Sequence, residues 1–131
     1  LICPMFYPSH FYQFHINGQE AGDHPEQLLE IGCNKIKSYL PDSSSIIIRP
    51  WLQSFTYKVP DFNYFYILKQ IFGCHNSGTE GFLFWNAGVK YDSTFKALEM
   101  LKRIESAPKV KDNELIENDI QENKEDNKQE G

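Results

Sequence analysis

The sequence predicts an α/β fold, a parallel sheet covered by helices, and three observations carry that prediction. Three short apolar runs, near residues 1–7, 46–52 and 81–86, each precede an amphipathic stretch of helical period. The second and third runs begin about 35 residues apart, which is the length of one βα unit. The segments Ile46-Ile47-Ile48 and Phe82-Leu83-Phe84-Trp85 are apolar at every position, the pattern of strands buried on both faces.

Taken in order, the first run is interrupted by Pro4 and ends in Pro8-Ser9-His10, after which aromatic and Gly-containing residues form a long connection to Asp23. Pro25 suits the first position of a helix behind Asp23 or His24. Leu28, Leu29, Ile31, Ile36 and Leu40 then recur at near-helical spacing. Pro41-Asp42 and three serines make a turn before the second run, which continues directly into Arg49-Pro50-Trp51-Leu52-Gln53. A second helix is expected from Phe62 or Asn63, carrying Phe65, Leu68, Ile71 and Phe72 and stopped by Gly73 and Asn76-Ser77-Gly78. Behind the third run, Asp92 or Ser93 can cap a helix with Phe95, Leu98, Leu101 and Ile104 on one stripe.

Charge divides the chain in two. Up to Ile104 there are nine acids and nine bases, whereas from Glu105 to the end nine acids face four bases, which accounts for the whole net charge of −5. Every aromatic residue precedes that tail. Residues 1–104 therefore read as one domain and 105–131 as an acidic, disordered tail with too little apolar surface to offset its ordering entropy. A neutral body with an acidic tail offers no basic patch for nucleic acid. No apolar stretch has the length of a membrane-spanning helix, and no basic and apolar leader opens the chain as written.

Several chemistries are disfavoured by spacing. Cys3, Cys33 and Cys74 are odd in number, lack CxxC spacing and read as small buried hydrophobes. His10, His15, His24 and His75 show no metal-ligand spacing, so no metal or cofactor is expected. Ser9 lies in Tyr-Pro-Ser-His rather than in a GxSxG elbow. The glycines at 78 and 81 are too irregular for a phosphate loop.

In parallel α/β architectures, ligands bind at the carboxyl ends of the strands. Polar and aromatic residues gather at those ends: Tyr7, Ser9 and His10 after the first run, Arg49, Trp51 and Gln53 in the second, Trp85 and Asn86 in the third. Side chains alternate along a strand, so Arg49, Trp51 and Gln53 share one face and are expected to point into a pocket. The trio suits a sugar, with an indole for the C–H face of a pyranose and planar polar groups for its hydroxyls.

Three motifs together resemble a known family. Cys-Pro-Met-Phe-Tyr-Pro-Ser-His at 3–10, Ile-Arg-Pro-Trp-Leu-Gln-Ser-Phe at 48–55 and Gly-Phe-Leu-Phe-Trp-Asn-Ala-Gly at 81–88 look like the last three strands of the putative glycoside-hydrolase domain family. That group consists of bacterial (β/α)8 barrels with relatives among α-amylase-like barrels. The resemblance implies a partial TIM barrel, with this chain supplying units six to eight and requiring five further strands for closure. It implies a carbohydrate partner and a pocket lined by Tyr7, His10, Arg49, Trp51, Gln53, Trp85 and Asn86, and it suggests an exported or cell-envelope setting.

Hydrolysis of a glycosidic bond needs two flanking carboxylates, and none of the three motifs places one at a strand end. Glu80 precedes the third run, while Asp61 and Asp92 sit in loop or cap positions. The catalytic pair is therefore expected upstream of residue 1. The alternative is a non-catalytic carbohydrate-binding or scaffold barrel that keeps the aromatic pocket without the acids.

Overall fold

The computed structural model describes residues 1–59 and 61–107. The acidic tail expected after residue 104 lies, from 108 on, outside the described residues, and its first positions continue the last helix. No helix among the described residues is long and apolar enough to cross a membrane.

Three extended segments lie parallel in the order of the sequence. β3 (Trp51–Gln53) pairs with β4 (Leu83–Trp85) in a register that sets Trp51 opposite Leu83 and Gln53 opposite Trp85. On the other side of β3 runs the leading segment, residues 2–6, through parallel bridges at Ile2–Ile48 and Met5–Trp51. Pro4 and Pro50 have no N–H to donate, so this edge is stitched rather than laddered. Its bonds are Ile2 N to Ile47 O, 2.8 Å; Arg49 N to Ile2 O, 2.9 Å; Trp51 N to Pro4 O, 2.8 Å; and Phe6 N to Trp51 O, 3.1 Å. Regular strand is consequently shorter than the three apolar runs predicted.

Three helices follow the three segments: α1 (Pro25–Lys37), α2 (Tyr64–Asn76) and α3 (Asp92–Ser106). Pro25 opens α1 as expected, and the Asn63 carboxamide caps α2 by accepting from the N–H groups of Phe65 and Tyr66. The helices bury a core of Leu29, Leu52, Ile67, Leu68, Ile71, Cys74, Ala97 and Leu101, with Phe6, Phe82 and Phe84 packed against it. Tyr66 ties α2 back to the loop before α1, its hydroxyl donating to Gly22 O at 2.7 Å. Burial, with Asp23 nearby, holds that phenol well above the ordinary tyrosine range.

Four local expectations are corrected. Gly73 does not stop α2, which runs on to Asn76. Asp92 and Ser93 do not cap α3; the capping position is Tyr91, with no side-chain bond to the helix amides. Phe65 and Phe95 are 53% and 68% exposed rather than on the buried stripe, and α3 buries Thr94, Ala97 and Leu101 instead. The long connection after His10 contains a small antiparallel hairpin, β1 (His15–Ile16) and β2 (Gln19–Glu20). It turns on Asn17-Gly18, both at positive φ, a standard two-residue hairpin signal.

Candidate functional site

Alternation sorts the sheet residues onto two faces. Phe6, Ile48, Pro50, Leu52 and Phe84 face the helices, and Leu52 and Pro50 are fully buried there. Met5, Tyr7, Arg49, Trp51, Gln53, Leu83 and Trp85 fall on the other face, over which no described element packs as a layer. Met5 is 62% and Trp85 47% exposed as a result.

At the carboxyl end of this bare face the register forms a row across the sheet. Trp85 stands opposite Gln53, and Tyr7, two residues beyond the Met5–Trp51 bridge, reaches the same level. The indoles of Trp51 and Trp85 meet edge to face, with ring centres 6.4 Å apart and planes at 90°. Tyr7 is buried between His10, at 5.1 Å, and Phe55, at 5.6 Å, both in tilted or perpendicular contact. Burial, and the nearby Tyr91, raise its phenol above the ordinary range, so it stays a neutral donor at physiological pH. His10 itself is exposed on a short 3-10 turn, residues Pro8–Phe11.

The remaining expected residues are held by backbone groups of the surrounding loops. Gln53 is fully buried, and its amide is saturated: the carbonyl oxygen accepts from Ser9 N at 3.0 Å, and the nitrogen donates to Phe55 O and Tyr57 O, each at 2.9 Å. Asn86 folds the loop behind β4. Its Nδ2 donates to Ser54 O and, at 2.9 Å, to Lys90 O, while its Oδ1 accepts from Gly88 N at 2.8 Å. Arg49 is not gathered with the aromatic row. It lies toward the other end of the sheet, over Gly81, with Nε donating to Glu80 O at 2.9 Å.

Two hollows at the carboxyl end escaped sequence reasoning. One, of about 400 Å³, is lined by Ser54, Phe55, Phe62, Asn86, Lys90 and Asp92. The other, of about 460 Å³, is bordered by Tyr12, Glu20, Asp23, Lys58 and Val59, with the Lys58 ammonium 4.0 Å from the Tyr12 ring centre. Asp92 was legible as an acid in the sequence, but its freedom from a capping bond was not. Among the described residues, no group of three or more His, Cys, Asp or Glu side chains is placed to hold a metal ion.

No curated protein and no solved structure matches the chain significantly. A family model does, over residues 1–91, a span that takes in all three parallel segments and the aromatic row. On that match the chain belongs to the family described as the putative glycosyl hydrolase domain.

Proposed function

We propose that this chain contributes the last three βα units of a carbohydrate-active (β/α)8 barrel, and that its aromatic row binds the sugar. Parallel segments in sequential order, helices on one face and a bare apolar face on the other support the barrel reading, since parallel sheets are ordinarily covered on both sides. The observation that carries the binding reading is the perpendicular Trp51–Trp85 pair beside neutral Tyr7. Two indole faces at right angles suit the C–H faces of a pyranose, and the tyrosine hydroxyl and His10 supply hydrogen bonds. In this reading Gln53 and Asn86 are positioning residues, which set the loops that frame the aromatics, and Arg49 anchors the entry side of β4. Glycosyl hydrolysis by the barrel requires a pair of carboxylates across the scissile bond. Asp92 borders a hollow beside Asn86, with no second carboxylate among the described residues lining it, so the non-catalytic, binding-only reading is kept as the alternative.

The chain has two tryptophans, and both lie in the proposed site. Titration with soluble oligosaccharides, followed by intrinsic fluorescence, is expected to give a saturable change in emission. Trp51→Ala, read through the remaining Trp85, weakens binding about tenfold or more. Unchanged affinity in that variant, or no saccharide that perturbs either indole, would overturn the proposal.

A further inference from the structure

We propose that Cys33 and Cys74 are a dithiol that a hydroperoxide oxidises to a disulfide, stapling α1 to α2. Both cysteines are free and buried, one on each of two helices packed side by side. Cys33 lies one turn beyond Leu29 on α1 and Cys74 directly follows Gly73 on α2. The helices approach closely next to this pair: a Cβ on Gly73 would stand 2.3 Å from Glu26 O and 2.8 Å from Leu29 Cβ. Lys37 adds a cation at the same end, its ammonium donating to Ser77 O and, at 3.1 Å, to Gly78 O. Cys3 lies on the leading segment of the sheet rather than on either helix.

The surroundings distinguish the two sulfurs. The Cys74 thiol, then Ser77 and Lys37, hold Cys33 below the ordinary thiol range against the effect of burial. Cys74 is pushed up, chiefly by the neighbouring Cys33 and by burial. Cys33 is therefore the thiolate that reacts first. Its sulfur attacks one oxygen of hydrogen peroxide, the O–O bond breaks, and hydroxide leaves and takes up a proton as water, giving a sulfenic acid on Cys33. The Cys74 sulfur then attacks that sulfur, the S–O bond breaks, and a second water leaves with the Cys74 proton. Two thiols give up two electrons and two protons, and one peroxide becomes two waters. Peroxide is small enough to reach a buried pair through local opening.

The test treats the whole chain with hydrogen peroxide, alkylates the remaining thiols and reads intact mass and crosslinked peptides. The expected result is a loss of about 2 Da with alkylation at Cys3 alone, and a Cys33–Cys74 crosslink that a phosphine reverses. Cys3→Ser gives the same crosslink. In urea the pairing slows about tenfold or more and becomes indiscriminate, because the folded helices hold the sulfurs together. Alkylation of all three cysteines after native treatment, crosslinks through Cys3, accumulation of sulfinic acid on Cys33 alone, or equal rates with and without urea would each overturn the proposal.

Discussion

Gln53 shows how a residue at a strand end comes to be spent on the scaffold. Its side chain bridges two loops, and its main chain is clasped by another amide from α2. Gln53 N donates to Gln70 Oε1 and Gln70 Nε2 donates to Gln53 O, both at 2.9 Å and fully buried. Where β3 ends, these two main-chain groups have lost their ladder partners, and Gln70 replaces them. Gln70→Leu keeps the volume and leaves both groups unsatisfied in the core. We expect a loss of about 2–6 kcal/mol in urea unfolding, at about 1–3 kcal/mol for each of the two buried orphans. A loss below 1 kcal/mol would mean that water reaches the end of β3. The one-face arrangement of Arg49, Trp51 and Gln53 was legible from alternation alone. The use of the Gln53 amide was not, because its partners Ser9, Phe55 and Tyr57 belong to loops whose closure no local pattern reveals. Arg49 is similar: only the register of β4 places Gly81 and Glu80 O beneath its guanidinium.

Among the elements, α2 is the one the sequence misread most usefully. Gly73 looked like a stop signal because glycine weakens helices, yet the helix passes through it for a packing reason. The backbone of α1 at Glu26 and the Leu29 side chain occupy the space a Cβ would fill. Gly73→Ala gains about 1 kcal/mol of helix propensity and meets a rigid carbonyl and a core side chain, which overpacking series put at about 1–3 kcal/mol or more. The close carbonyl decides the sign. We expect net destabilisation and a weakened near-ultraviolet dichroism from a separated α1–α2 pair, whereas a variant more stable than the parent chain would show that α1 yields freely. The three helices themselves were readable, since Pro25 and Asn63 mark two starts and the period marks all three. The stripe expected on α3 held at Leu101 and, at the edge of the core, Leu98, but failed at Phe95 and Ile104, which look like core residues by hydropathy while the helix turns small Thr94 and Ala97 inward. Asn17-Gly18 carried a hairpin signal in plain view, but two-residue strands are too short to show alternation on either side.

At the scale of the molecule, layering explains where chemistry can occur. All three helices lie on one side of the sheet, so Met5, Trp51, Leu83 and Trp85 are left on the other, where a closed barrel would place its interior. The carboxylates distribute unevenly around that face. Asp92 borders the hollow behind β3 and β4, Glu20 and Asp23 border a separate hollow beside Lys58, and Glu80 belongs to the opposite end of the sheet. On the proposed barrel reading, a sugar seated on Trp51 and Trp85 would lie at the same end of the sheet as Asp92, and a second, facing acid would come from strands that complete the cylinder. From this we expect that the chain on its own releases no reducing sugar from soluble polysaccharides above the buffer blank, even where fluorescence reports binding. The same assay on Asp92→Asn then shows no further change. A measurable rate that Asp92→Asn abolishes would show instead that the three units carry a complete acid pair, and the barrel reading of the bare face would fall with it.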